Sequence, residues 1–258
     1  MITLTTDFGL KDPYTAEMKG TIYTINPNAK IIDITHDVDK FNIRMGAFML
    51  ASAAPYFPAG TVHMAIVDPG VGTERRALVV QTKKTSFVGP DNGILMLAAQ
   101  QQGIEHIYEL FNPQFRLPNV SNAFHGRDIF APATAYLEMG VKPAMFGPEI
   151  AEVILPRFSE VKQQDDCLIG EILHIDDFGN VITNIRPDTL PQVQSLKIRL
   201  GDNQLDLPLE KVYGRAEPQQ LIALTGSHGF LEIAINQGNA AKKYETKIGD
   251  PIKIIFNS

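Results

Sequence analysis

Four polar loops carry the residue types that could do chemistry. The first, Val67-Asp68-Pro69-Gly70-Val71-Gly72-Thr73-Glu74-Arg75-Arg76, brings a carboxylate and two guanidinium groups into one shaped turn. Pro69 fixes its own φ, and Gly70 and Gly72 permit dihedrals or close approaches that a Cβ would forbid. The second, Phe124-His125-Gly126-Arg127-Asp128, adds an imidazole beside a glycine that leaves room for a ligand against the backbone. A positioned carboxylate or imidazole can take a proton from water, and a neighbouring guanidinium can stabilise the hydroxide character that results. The third is Asp176-Asp177-Phe178-Gly179-Asn180, with Thr183-Asn184 behind it. A phenylalanine at such a turn tip calls for something to pack on it, a flat aromatic ligand or another subunit. The fourth is Thr225-Gly226-Ser227-His228-Gly229-Phe230, followed by Asn236-Gln237-Gly238-Asn239. Each loop also has a plain structural reading: a hairpin tip with a surface ion pair, a hydrogen-bonded structural histidine, or an Asp/Asn/Gly hairpin turn.

Several reaction classes lack their signatures. Asp7, His36, Asp37, Asp68, Asp91, His125 and Asp128 are metal-ligand types, but no His-x-x-x-His, Asp-x-His or cysteine pair sets them at a recognisable ligand spacing, so no metal is expected. Asp68-Pro69-Gly70-Val71-Gly72 does not fit the phosphate-loop pattern, and no nucleophile elbow of the G-x-S-x-G type occurs. A net charge of -6 without a basic block argues against nucleic acid as a partner and suits a small, cationic substrate. The single cysteine, Cys167, has no partner for an intramolecular disulfide, and no apolar run reaches the ~18 residues a membrane helix needs. The chain is read as cytoplasmic, with no membrane partner.

The elements that must position these loops follow from periodicity and punctuation. Ile2 to Thr5 is a short strand ending at Asp7, and Asp12-Pro13 reads as a helix N-cap with proline in the first turn, opening a helix from about Tyr14 to Ile25. A strand at Ile31 to Ile34, a helical period from Ile43 to Ala54, strands on both sides of the Asp68 loop and a strand at Thr85 to Val88 come next. A helix near Ile94 to Gln101, a strand at His106 to Leu110 and a helix over Asp128 to Met139 complete an alternating β-α order. That order predicts an α/β domain with a mainly parallel sheet flanked by helices, and ligands then bind beyond the carboxyl ends of its strands. Asp7, Asp12, His36, Asp37, Asp68, Asp91 and Asn92 all fall at such ends. From Leu168 onward, short apolar runs separated by turns predict a smaller all-β barrel-like domain. The expected division is residues 1–158, a linker at 159–167 and a C-terminal domain at 168–258.

Taken together, Thr5-Thr6-Asp7-Phe8-Gly9, Asp12, Val67 to Gly72, Gly89-Pro90-Asp91-Asn92-Gly93, Phe124 to Asp128, Asp177 to Asn180 with Thr183-Asn184, and Ser227-His228-Gly229 resemble the S-adenosyl-L-methionine (SAM) hydroxide adenosyltransferase family, relatives of SAM-dependent fluorinases and chlorinases. The resemblance covers nearly the whole chain. It implies SAM as substrate with no cofactor, cleavage by water to adenosine and methionine, and a homotrimer binding SAM between the N-terminal domain of one subunit and the C-terminal domain of its neighbour. It implies Asp68, Arg75 and His125 as the water-activating set, with the Pro-Gly-Val-Gly turn placing Asp68 and Arg75 on opposite sides of one water. Asp12 falls where the ribose hydroxyls are held, and Phe178 and Asn180 where adenine is contacted. Asp176 or Asp177 and Ser227 fall where the methionine amine and carboxylate are held. Asp7, Phe8, Asn92, His228 and Asn236 complete the expected substrate contacts. The sequence departs from the halogenase relatives at His228, where they carry an arginine, and in its shorter lead into Phe178. Halogenases also carry a tyrosine near the Asp68 position and a serine in place of the His-Gly pair, so this chain follows the hydrolytic pattern. A halide-using adenosyltransferase and a non-catalytic SAM- or adenosine-binding module are the competing readings.

Overall fold

The computed structural model describes residues 1–164, 166–190 and 193–256. They form two compact units, Met1–Pro156 and Arg157–Ser258. The first unit begins with strand β1 (Ile2–Thr6), helix α1 (Tyr14–Ile25), β2 (Ile31–Thr35) and α2 (Ile43–Ala53). It continues through β3 (Val62–Ile66), β4 (Ala77–Thr82), β5 (Ser86–Pro90), α3 (Met96–Gln102) and β6 (Ile104–Glu109) to α4 (Ala131–Glu138), which a single π-helical turn, Gly126–Phe130, precedes. Asn42 caps α2 by accepting the Met45 amide at 3.0 Å. At α1 the expected cap is displaced: Pro13, with φ -76° and ψ -2°, occupies the N-cap position and no side chain closes the helix. Asp12 therefore sits one residue outside the position from which a carboxylate reaches the first free amides, and it stays exposed.

The sheet order is β2-β1-β3-β5-β4-β6. β1 runs parallel to β2 and β3, and β3 parallel to β5, while β4 is antiparallel to both β5 and β6. The sheet is thus mixed, with β4 reversed among otherwise co-directional strands. That topology removes the hairpin reading of the Asp68 loop. β3 and β4 are not neighbours, because β5 lies between them, so residues 67–76 cross over the carboxyl end of β5. Alternation along β1 and β3 sends Ile2, Leu4, Met64 and Ile66 into a core shared with Met18 and Ile22 of α1 and Ala131, Ala133 and Ala135 of α4. The opposite face carries Thr3, His63 and Phe87, all buried.

The second unit contains β7 (Lys162–Gln164), β8 (Cys167–Ile175), β9 (Val181–Thr183), β10 (Ser195–Leu200), β11 (Asn203–Glu210), β12 (Leu221–Thr225), β13 (Leu231–Ile235), the short helix α5 (Ala240–Lys243) and β14 (Pro251–Ile255). Strand order β14-β10-β11-β12-β13-β9-β8, with β8 pairing back to β14, closes a barrel. Inward-facing Leu168, Ile172, Val181, Ile198, Leu200, Ile233, Ile252 and Ile254 fill it. The stretch read as a linker holds β7, which pairs along β8, and Asn184 anchors its beginning by donating to the carbonyls of Phe158 and Glu160 at 3.0 and 2.9 Å.

Candidate active site

Three side chains from two loops meet beyond the end of β3. Arg75 donates from Nε to Asp68 Oδ1 at 3.1 Å and from Nη2 to Asp68 Oδ2, which makes the pair bidentate. The same Nη2 lies 3.1 Å from His125 Nδ1, Nη1 donates to the Arg76 carbonyl at 3.2 Å, and the guanidinium sits 5.2 Å from the centre of the Phe130 ring. The Arg75 and Asp68 side chains are only 8% and 5% exposed. A charge-assisted fork of this kind fixes orientation as well as proximity. The two groups touch directly, so they do not flank a water as the turn geometry suggested; Gly70 and Gly72 bend the chain far enough to bring residue 75 back onto residue 68.

The contact also fixes the imidazole. Arginine has no acceptor, so His125 Nδ1 must be the accepting nitrogen and the ring proton resides on Nε2. Burial, and then the Arg75 charge, hold the His125 pKa below its ordinary 6.5. His125 is therefore a neutral donor through Nε2, and Asp68 is the carboxylate that accepts from Arg75.

A second shell of contacts holds the two loops together. Gly72 has φ +77°, and a Cβ there would run into the carbonyl of Asn122, so the Asp68 loop and the His125 loop touch backbone to backbone. Asp128, fully buried, accepts the Ser121 amide at 2.8 Å and two bonds from Arg127, at 2.6 and 3.1 Å. Arg127 reaches on to Glu17 of α1 at 2.8 Å and lies over the Phe124 ring. At the far end of the crossover, Arg76 donates to Asp91 at 2.9 and 2.6 Å, and Asn92 donates to the Val67 carbonyl at 2.8 Å. Asn92, expected to touch substrate, uses its amide to pin the start of the Asp68 loop, and its Oδ1 accepts the Ile94 amide at 3.2 Å.

Asp7 leaves β1 beside the end of β3, as the pairing of Thr6 with Ile66 requires. Its carboxylate accepts the Phe41 amide at 2.9 Å, and its carbonyl accepts from Lys40. Phe41 is held at φ +64° with its ring 69% exposed. Phe8 makes edge contacts with Tyr14 and Phe124 at 5.9 and 5.8 Å, and Tyr14 with Phe124 at 5.3 Å. This aromatic trio next to His125 was not foreseen beyond Phe8. Spacing offers no signal for it, because Phe8 and Phe124 lie in separate loops and Tyr14 opens α1. His36 and Asp37 do not join the set. His36 is buried 2.8 Å from Thr6 Oγ1, and Asp37 closes a local turn by donating its amide to Thr35.

In the barrel, Asp176 braces the third loop: Oδ1 accepts the amides of Phe178 and Asn180 at 3.0 and 2.8 Å, and Oδ2 accepts Asn180 Nδ2 at 2.9 Å. Gly179, at φ +84°, lies against Asn239, and its carbonyl accepts the Ala241 amide at 2.9 Å, so α5 backs the turn. Phe178 is presented 78% exposed, with Asp177 also exposed beside it. Pairing of Ile182 with Glu232 puts this turn and the Ser227 turn at opposite ends of β13. Between them Glu232, buried, accepts from the Tyr213 hydroxyl and lies 3.2 Å from His228 Nε2, while His228 Nδ1 accepts the Phe230 amide at 3.2 Å. Both His228 ring nitrogens are thus engaged within the barrel wall, and Asn236 donates to the Ala216 carbonyl at 2.8 Å. Among the described residues no group of three or more His, Cys, Asp or Glu is placed to hold a metal ion, and no helix is long and apolar enough to cross a membrane.

Residues 2–147 match the family model for the SAM hydroxide adenosyltransferase N-terminal domain, and residues 170–253 that for the C-terminal domain. An (R)-S-adenosyl-L-methionine hydrolase from Methanocaldococcus jannaschii is 37% identical over 99% of this chain and 96% of its own. A fluorinase from Nocardia brasiliensis is 26% identical over 98% of this chain and 96% of its own. The crystal structure of an uncharacterized conserved protein from Thermotoga maritima, 38% identical, superposes with a TM-score of 0.88 over 99% of this chain and all of that one, 100%.

Proposed function

Because the chain belongs to the SAM hydroxide adenosyltransferase family, we propose that it hydrolyses SAM by attack of water at C5′, releasing adenosine and L-methionine. The observation that carries this reading is the Asp68-Arg75-His125 contact set, with its proton inventory fixed by Arg75. Neutral methionine is an excellent leaving group from a sulfonium, so the barrier lies in the nucleophile, whose pKa as free water is ~15.7. Asp68 takes the proton as the new C–O bond forms, a contribution on the order of 10²–10⁴-fold. His125 Nε2–H orients the water by donating to it, and Arg75 holds both partners in place. Positioning in a closed site supplies much of the rest.

The substrate contacts proposed are Asp12 for the ribose hydroxyls, with Asp7, Phe8 and Asn92 shaping that end; Phe178 and Asn180 for adenine, with Asn236 behind them; and Asp176 or Asp177, with Ser227 and His228, for the methionine end. The exposed Phe178 ring supports the adenine assignment. The proposed assembly is a homotrimer in which one subunit's N-terminal residues and a neighbour's barrel residues complete each site, in the cytoplasm and without a cofactor. Chromatography of SAM incubations tests the chemistry. Adenosine should form with wild type and fall steeply in Asp68→Ala, Arg75→Ala and His125→Ala. Full activity in all three would remove this set from the reaction, and stabilisation by SAM without turnover would favour a binding module.

A further inference from the structure

Water and a halide ion differ as nucleophiles in two respects. Water must lose a proton, whereas a halide needs no base; and a halide brings a full negative charge into the site. The charged groups acting on His125 are Arg75, Asp68, Arg116 and Asp128. Asp128 is matched by Arg127, which also pairs with Glu17, and Arg116 has Glu109 for a charged neighbour. That leaves the Arg75 guanidinium, nearly buried and, among the described residues, matched only by Asp68 at bonding distance. His125, neutral, contributes a donor and no charge. The nucleophile position therefore faces a balanced ion pair whose carboxylate repels anions.

We infer that Asp68 selects the nucleophile: its carboxylate both accepts the proton of water and cancels Arg75, so that removing its charge turns the same pocket into a halide site. A nearly buried guanidinium left without its carboxylate demands a counterion, and the His125 Nε2–H donor then serves a chloride as well as it serves water. The inference rests on the SAM reading for its product, though not for its anion. In Asp68→Asn, chloride would form the C5′–Cl bond as the C5′–S bond breaks, with the electron pair passing to sulfur. The products are neutral methionine and 5′-chloro-5′-deoxyadenosine, and no proton moves. The relatives named fluorinase show that a halide-using outcome lies within reach of similar chains.

The test compares wild type, Asp68→Asn, Asp68→Ser and Asp68→Asn/Arg75→Ala in thermal unfolding from zero to 1 M chloride, at ionic strength held constant with gluconate. Chloride should raise the unfolding temperature of the two single variants by on the order of 5 °C beyond any effect on wild type, and the double variant should lose that response. Asp68→Ser guards against local collapse of the asparagine onto Arg75. Incubation of the single variants with SAM and chloride should yield the 5′-chloro nucleoside, with adenosine formation depressed at least tenfold. Equal chloride responses in wild type and single variants would overturn the inference. Chloride binding by a variant that binds SAM yet forms no chloro product would overturn its account of nucleophile choice. A chloride response in the variants, with wild type inert toward SAM, would instead overturn the SAM reading and leave the anion site standing.

Discussion

Replacing Arg75 by lysine keeps the charge and removes the geometry, which makes it the sharpest test of how this site is built. Arg75 makes four polar contacts from three nitrogens: two to Asp68, one to His125 and one to the Arg76 carbonyl. A lysine ammonium is a point donor on a flexible stem and can keep one Asp68 oxygen, losing the Arg76 carbonyl and, at the site itself, the second oxygen and the imidazole. Two charge-assisted bonds at roughly 1.5 kcal/mol each give about 3 kcal/mol. If that loss is felt where the water is held, it amounts to about a 100-fold fall in kcat. Because Arg75 faces the nucleophile, KM for SAM should stay within about threefold. The assay is initial-rate adenosine formation by Arg75→Lys, His125→Ala and the double variant. Arg75 acts partly through His125, so the combined loss should fall well short of the product of the single losses. Retention of kcat within about threefold in Arg75→Lys, or independent multiplication of the two effects, would refute the reasoning.

Other outcomes follow from the same geometry. His63 is buried between the Phe87 and Phe57 rings, 2.7 Å from Thr3, and burial pushes its pKa down to about 4. The unfolded chain therefore takes up a proton first as pH falls. This contribution is fully present above 6.5 and is lost between 6.5 and about 4, on the order of 3 kcal/mol in all; urea unfolding of wild type and His63→Gln at pH 7.5 and 4.5 should show the difference shrink in the variant. The proposed mechanism uses neutral His125, whose pKa is also held low, so the rate should stay flat down through pH 6.5 and fall only at more acid values; a pH-rate profile with an inflection above 6.5 would contradict that neutral role. Gly72→Ala must move the Asn122 carbonyl or abandon φ +77°, and should cut kcat at least tenfold while the proposed adenine contact of the barrel, followed by calorimetry with adenosine, is unchanged. Asp176→Ala removes an acceptor of three hydrogen bonds and should destabilise the barrel by about 1–3 kcal/mol, whereas Asp177→Ala should stay within about 0.5 kcal/mol; KM for SAM in the same pair identifies the partner of the amine.

The parts of this molecule that sequence made legible are those where local rules and tertiary structure agree. Apart from β7, whose Lys162-Gln163-Gln164 is polar and exposed and so reads as linker, the strands carry the expected alternation or apolar run, because burial on one or both faces favours that pattern at those lengths. Asp7, Asp68 and Asn92 could be placed at strand ends, since a parallel sheet forces its loops to that edge. What local rules could not supply was which neighbour each loop residue would find. The insertion of β5 between β3 and β4 is invisible to periodicity, yet it turns residues 67–76 from a hairpin into a crossover and so brings Arg76 onto Asp91. Asp12 reads as a cap because Asp-Pro commonly is one, but a cap position is decided by one residue's dihedrals, and Pro13 took it. Asn92 and His228 are expected at the substrate from the family resemblance alone, and no local rule announces the hydrogen bonds each also makes within its own domain.

The contact set of Asp68, Arg75 and His125 illustrates the converse. Asp68 and Arg75 are seven residues apart in one loop, and their meeting needs only the turn that Pro69, Gly70 and Gly72 already announce. His125 lies 50 positions further on and joins them through Gly72, whose missing Cβ lets Asn122 approach. One glycine thus does for the tertiary contact what the earlier pair does for the local one. The proposed chemistry depends on both, because without the Arg75 fork His125 could carry its proton on either nitrogen, and Asp68 would lose the partner that orients it. The protonation state of the site is in this sense a property of loop packing, set before any substrate arrives.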